Sequence, residues 1–287
     1  LAEFAYQNSL AYAKDRIQGR SLTGPKNPGK PADPIIVHPD VRRMLLTQKA
    51  YVEAARAFTY WAGLAIDLSH KHPDESVRKD NDDLVSLLTP VVKGFITDNG
   101  YESTTLAMQV LGGHGYITEW GLEQCVRDAR INMIYEGTNA IQALDLLGRK
   151  VLGDMGAKLM KFGKVIQELI MRQSDYEGMK EFTDPLGKLA VQVQTLTAEI
   201  GQKAMKNPDE AGAAAVPYLR IIGHLVFSFS WCFSASVAMR KLDTANDADK
   251  AFYQSKLTTA RFYFAKLYPE TEMLINQVKA GAAPLME

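Results

Sequence analysis

Apolar residues recur at steps of three and four through two very long segments, and this periodicity constrains the fold more than any other feature. From Val41 to Leu68 the series runs through Val41, Met44, Leu45, Val52, Ala55, Phe58, Ala62, Ala65 and Ile66, one face of a long helix. A second runs through Leu84, Leu87, Leu88, Val91, Val92, Phe95, Ile96, Thr105, Met108 and Leu111, with Gly100 as its weak point. No segment alternates at period two over a useful length, so the expected class is all-α with essentially no sheet.

An earlier helix is expected over roughly residues 2–16, followed by a loop. Gly24, Pro25, Asn27, Pro28, Gly29, Pro31 and Pro34 form a density of breakers that no helix tolerates. Thr138 and Asn139 suit a helix cap before Ile141, Leu144, Leu147 and Val151, which gives a fourth helix. Beyond Gly153 and Gly156 plainer amphipathic segments occupy approximately 157–174, 185–206, 213–242 and 248–267, punctuated by Asn207-Pro208 and Pro217. The 287 residues exceed the usual size of one compact domain. The expected architecture is an up-and-down four-helix bundle over 1–155 and a second, appended helical domain over 156–287.

Hydrophobic residues make up 46% and charged residues 23% of the chain, with Lys plus Arg and Asp plus Glu at 33 each. That balance gives no electrostatic reason to expect nucleic acid or an anionic membrane surface as a partner. Cys125 and Cys232 are the only cysteines, too few for a disulfide framework, and no ligand set for a metal is expected. Both read as buried thiols in a reducing, cytoplasmic compartment. The longest apolar stretch, Val226 to Met239, has 14 residues, short of the about 20 that a membrane span needs, and reads as a core helix. Leu1 is not a methionine and no basic-then-apolar leader follows it, so a further segment is expected before it, and no signal peptide.

Chemistry concentrates in Gln109-Val110-Leu111-Gly112-Gly113-His114-Gly115-Tyr116, then Arg127-Asp128-Ala129-Arg130, then Ile134-Tyr135-Glu136-Gly137-Thr138-Asn139. Singly, each has a bland explanation: glycines end helices, and a Glu-Gly-Thr-Asn run makes a turn and cap. A carboxylate on a short glycine-containing loop can also reach into a dry pocket, where loss of hydration makes it a stronger base.

In this order and spacing, the three motifs resemble the acyl-CoA dehydrogenase family over Gln109 to Arg149. The resemblance implies an FAD-dependent oxidoreductase of fatty acid metabolism. Glu136 would take the C2 proton of an acyl-CoA thioester while hydride leaves C3 for the flavin, giving a trans-2-enoyl-CoA. Tyr135 and Gly137 would flank the substrate. Tyr12-Ala13-Lys14-Asp15-Arg16-Ile17-Gln18 is similar to the stretch whose arginine meets the FAD pyrophosphate of a neighbouring subunit, which puts Arg16 and Gln18 at the cofactor of a homo-oligomer, a dimer or tetramer. An arginine fork suits phosphate oxygens, though a single arginine near a helix end also serves as a solvated surface charge. Gln109 and Gly113 would contact the adenosine end of FAD, with capping or surface placement the alternative for Gln109. Thr138 would hydrogen-bond near the flavin, a role compatible with that of an N-cap.

Departures from the common pattern point to a subgroup. A Pro/Gly-rich insertion runs to Pro34, and His38 stands where a glutamine is usual; it either donates to FAD or is an ordinary loop histidine. The chain also continues well past the four-helix region. Arg-Ile-Gln-Gly-Arg, His-Pro-Asp-Val-Arg-Arg, Glu-Gly-Thr-Asn-x-Ile-Gln and Leu-Gly-Arg-Lys together resemble the long bacterial, 3-methylmercaptopropionyl-CoA dehydrogenase-like branch. The resemblance implies an electron-transfer flavoprotein as partner. An acyl-CoA oxidase-like flavoenzyme and a non-catalytic, nucleic-acid-associated relative are the alternatives. In the tail, His224 and Cys232 read as core residues, and Phe252, Tyr253, Phe262, Tyr263, Phe264 and Tyr268 as core or interface aromatics.

Overall fold

The computed structural model describes residues 1–287 and contains helices and no strand; a single isolated bridge joins Ile17 and Pro34. The all-α expectation holds. The helices are α1 (Ala2–Asp15), α2 (Pro39–Lys71), α3 (Glu75–Leu111), α4 (Leu122–Ile131), α5 (Asn139–Leu144), α6 (Ala157–Arg172), α7 (Lys180–Ala204), α8 (Asp209–Leu242), α9 (Asp247–Phe262), α10 (Glu270–Ala280) and a last turn at Ala283–Met286. Two compact units form from discontinuous stretches, one of Leu1–Glu53 with Ile96–Tyr135, the other of Ala54–Phe95 with Glu136–Glu287.

The first unit is built from α1, the start of α2, the end of α3, and α4. Ala5, Tyr6, Ala13, Met44, Leu45, Ala107, Val110, Leu111, Leu122 and Cys125 form its core. The Pro/Gly-rich stretch is a loop, as its breakers require, and it is organised around one carboxylate. Asp33 is buried and accepts from the backbone N–H groups of Ser21 (2.9 Å), Lys26 (2.9 Å) and Asn27 (2.7 Å) and from Arg20 (3.3 Å). The N–H of Ser21 above all, helped by the others, holds the Asp33 carboxyl below its ordinary range.

In the second unit α8 is the central element, packed by α5, α7, α9 and α10. It starts earlier than the apolar pattern indicated and runs unbroken through Pro217, just as α7 runs through Pro185. Proline removes one helix hydrogen bond, and here burial outweighs that loss. By length and composition α8 could cross a membrane, with a mean hydropathy of 1.6 in its most apolar window, but 83% of that window is buried inside the protein. It is a core helix whose central turns, from Tyr218 to Cys232, are almost wholly covered by neighbours and correspondingly apolar.

Thr138 caps α5 as expected, its side chain accepting from the Ile141 N–H at 3.4 Å. The face expected after it is only half right. Leu147 and Val151 are buried, whereas Ile141 and Leu144 are exposed and Ala143 and Leu146 are buried instead. A π-helical segment at Asp145–Val151 supplies the reason, because its wider turn shifts the phase of the helix face. The helix α10 has no counterpart in the sequence reading.

His224 is fully buried, as a core histidine. Its Nε2 lies 2.9 Å from Glu270 and its Nδ1 3.0 Å from the Tyr263 hydroxyl, while Arg220 binds the same carboxylate at 2.7 to 3.0 Å. Burial pushes the Glu270 carboxyl up, but the His224 hydrogen bond and the Arg220 charge prevail and hold it at about 2. Burial also holds the His224 imidazole below its ordinary value. The ring is therefore neutral, with Nε2 facing the ionised carboxylate, and the Tyr263 hydroxyl beside Nδ1 donates to the His224 carbonyl oxygen at 3.1 Å. Cys232 is buried with its thiol pushed up to about 12, and burial raises Cys125 as well.

Candidate active site

Within the first unit, four of the residues singled out by sequence lie around one cavity. Arg16, Gln18, Gln109 and Gly113 line a space of 340 Å³ together with Tyr12, Ile35, Val110, Leu111, Gly112 and His114. The end of α1 supplies Arg16 and the end of α3 supplies Gln109. The glycine-rich continuation of α3 forms a 3₁₀ turn over Gly112–Tyr116. Gly115 is required there, since a Cβ would stand 2.3 Å from the Met108 carbonyl oxygen, which is backbone and cannot yield.

Arg16 is exposed and its guanidinium reaches the Gln18 side-chain oxygen at 3.5 Å. His38 does not line this cavity. Its Nε2 meets the Gln18 carbonyl oxygen at 2.8 Å, which ties the start of α2 to the backbone on which Gln18 stands. The donors at the cavity, a guanidinium and two primary amides, match the oxygens of a diphosphate and the edge of a heterocycle.

An aromatic wall beside these residues carried no role in the sequence reading. The His114 ring stacks on Trp120 at 5.2 Å with an interplanar angle of 6°, Tyr12 meets Trp120 edge-on at 5.1 Å, and the Tyr12 hydroxyl lies 2.9 Å from His114 Nδ1. The available signal was spacing: Tyr12 stands four residues before Arg16, on the same helix face.

In the second unit Glu136 is exposed on the turn before α5, with a positive φ of 55°, followed by Gly137 at φ 80°. A non-glycine residue in the left-handed region costs about 1–3 kcal/mol and persists only where its surroundings impose it. They do so here. Lys93 Nζ donates to the Gly137 carbonyl at 2.7 Å and to Asn139 Oδ1 at 2.7 Å, Asn139 Nδ2 donates to the Gly94 carbonyl at 3.1 Å, and Gln142 Nε2 donates to the Glu136 carbonyl at 3.2 Å. Thr138 and Gly137 lie in the same exposed turn. Tyr135, in the first unit, is half exposed with its hydroxyl on Asn132 at 2.9 Å.

A family model described as "Acyl-CoA dehydrogenase, C-terminal domain" matches residues 1–152, and one described as "Acetyl-CoA dehydrogenase C-terminal like" matches residues 162–287. The chain belongs to the acyl-CoA dehydrogenase family. It is 39% identical over 275 residues to the 3-methylmercaptopropionyl-CoA dehydrogenase of Ruegeria pomeroyi, across 94% of this chain and 45% of that protein. It is 34% identical over 276 residues to the broad-specificity linear acyl-CoA dehydrogenase FadE5 of Mycobacterium tuberculosis, across 92% of this chain and 44% of that one. The chain thus spans under half the length of these relatives.

Among solved structures, an acyl-CoA dehydrogenase from Bacillus anthracis complexed with FAD superposes with a TM-score of 0.70 at 20% identity, covering 96% of this chain and 46% of that one. At that identity the likeness is one of fold.

Proposed function

We propose that the chain is the carboxy-terminal part of an FAD-dependent acyl-CoA dehydrogenase that converts an acyl-CoA thioester to a trans-2-enoyl-CoA. The observation that carries this reading is the shared cavity: Arg16 and Gln18 meet Gln109 and Gly113 there although roughly ninety residues separate the two pairs. That donor set fits a dinucleotide diphosphate.

FAD, when bound, supplies the hydride acceptor for C3 of the acyl chain. The chain's own residues bind, orient and move a proton. Arg16 offers its guanidinium fork to the diphosphate of a cofactor held by a neighbouring subunit, which makes the enzyme a homo-oligomer, dimer or tetramer. Gln18, Gln109 and Gly113 hold the nucleotide end, and His38 supports Gln18 through its carbonyl. Glu136 takes the C2 proton of the substrate, Tyr135 and Gly137 line its approach, and Thr138 both caps α5 and donates its hydroxyl near the reacting centre. The electrons pass on to an electron-transfer flavoprotein. In this reading residues 1–155 are the bundle domain and 156–287 the appended domain, a division supported by two family models that meet between residues 152 and 162. The two buried, unpaired thiols are in keeping with a cytoplasmic enzyme.

The test is anaerobic mixing of the full-length flavoenzyme with short, long and methylthio-bearing acyl-CoAs. Bleaching of the flavin with formation of the 2-enoyl-CoA by at least one of them is the expected result. No bleaching across the panel would refute the reading, and stoichiometric hydrogen peroxide in air would make the enzyme an oxidase.

A further inference from the structure

We propose that Lys93 is a positioning residue for the proton-abstracting carboxylate, holding the left-handed turn that presents Glu136. The inference rests on the reading of Glu136 given above. A glutamate at φ 55° next to a glycine at φ 80° occupies a conformation that a free loop would abandon. Something outside the turn must hold it, and an ammonium group carried by a different helix contacts it at two points.

Lys93 stands on α3, 43 to 46 residues from the turn in sequence, and is half-buried. Its Nζ donates to the carbonyl of Gly137, the residue directly after the base, and to the side chain of Asn139 at the first position of α5, each at 2.7 Å. These are charge-assisted bonds, shorter and stronger than neutral ones. Asn139 passes the restraint back to α3 through its bond to the Gly94 carbonyl at 3.1 Å, so the turn is fastened at two points to one turn of that helix. Gln142, on α5, fixes the carbonyl of Glu136 itself at 3.2 Å. The Glu136 carboxylate takes no part in this arrangement. Backbone and amide groups absorb the donors, and the acid is left pointing outward as the one group of the turn with a proton to accept.

A base of this kind loses rate steeply when displaced, since proton transfer needs the acceptor within hydrogen-bond reach of the C–H it attacks. Loosening the turn should therefore lower the rate of the chemical step while leaving ligand binding alone. A residue that only stabilised the fold would lower the melting temperature and leave the rate per folded molecule unchanged.

The experiment is made on the full-length flavoenzyme, with Lys93→Met, Lys93→Arg, Gln142→Met and Glu136→Gln compared. Flavin reduction is followed at saturating acyl-CoA, with FAD content, acyl-CoA affinity and far-ultraviolet circular dichroism measured beside it. Lys93→Met is expected to slow reduction on the order of ten- to a hundredfold with acyl-CoA affinity within about twofold of wild type, and Lys93→Arg to recover most of the rate. A folded Lys93→Met with a wild-type reduction rate, or one that loses rate only in step with acyl-CoA affinity, overturns the proposal while an inactive Glu136→Gln leaves the function standing. If Lys93→Met does not fold, Gln142→Met decides by the same criterion. A Glu136→Gln enzyme that reduces its flavin normally removes the function reading and this proposal together.

Discussion

Gly223 lies on α8 against the ring of Phe95, which is fully buried. A Cβ at position 223 would sit 2.2 Å from Phe95 Cγ and 2.4 and 2.6 Å from its two Cδ atoms. Ordinary carbon contacts are about 3.5–4.0 Å, so the ring or the helix would have to move by more than about 1 Å. The ring lies in a groove of α8 itself, flanked by Phe227 edge-on at 4.9 Å, His224 at 5.1 Å and the Arg220 guanidinium 5.6 Å from its centre, and because it is fully buried a retreat from the helix would drive it into packed core.

Replacing glycine by alanine inside a helix gains about 1 kcal/mol, and overpacking a core costs about 1–3 kcal/mol. A displacement of this size belongs at the upper end of that range, so Gly223→Ala is expected to lose about 2 kcal/mol net, or several degrees of melting temperature. Gly212 lies on the same helix, where an added methyl group would meet no other atom within 4 Å, and Gly212→Ala should gain roughly 0.5–1 kcal/mol. Urea unfolding of both variants beside wild type gives the two midpoints directly. A Gly223→Ala protein as stable as Gly212→Ala would refute the packing argument.

Two further outcomes concern carboxylates, Glu270, which is partly buried, and Asp33, which is fully buried. Glu270→Gln keeps the shape of the side chain but leaves Arg220 without its counter-ion, and should cost about 2 kcal/mol at neutral pH. Because the folded-state value of Glu270, about 2, lies below its ordinary 4.5, its contribution is present above pH 4.5 and lost as the pH falls towards 2; urea midpoints should show that acid slope in wild type and a shallower one in the variant. Asp33→Asn removes the charge on which three backbone N–H groups converge, so limited proteolysis within residues 18–34 should accelerate. Since the Asp33 carboxyl is held below 3.8, the wild-type loop should stay protected down to that pH and open only as the pH falls further.

Much of this was legible in the sequence because its signals are local. The threes and fours of α2 and α3, the Thr138 cap and the breakers before Pro34 each act over a few residues, and the helices, cap and loop stand where they indicate, although Ile66 and Thr105 of the expected faces are exposed. What escaped depends on partners distant in sequence. Pro217 looks like punctuation until the neighbours of α8 are known, and Glu270 looks like a surface glutamate until α10 is packed beside Arg220 and His224. The phase shift after Leu144 is likewise invisible, because a π-helical turn leaves no mark in apolar spacing. For the candidate site, the ordered motifs pointed to Arg16, Gln18, Gln109 and Gly113, which meet at one cavity. Tyr12, His114 and Trp120 were passed over, since single aromatics near helix ends are common and only the fold brings these three into contact. Lys93 gave no signal of its own, being one lysine on a helix with an ordinary polar face.

The central claim is that Glu136 removes the proton from C2 of an acyl-CoA. Stopped-flow reduction of the flavin in the full-length enzyme, wild type against Glu136→Gln, measures it most directly, with FAD content and acyl-CoA binding recorded on the same preparations. The account predicts a variant that retains cofactor and ligand but reduces its flavin slower by about 10²-fold or more, the range of a lost general base. Reduction at close to the wild-type rate would contradict it.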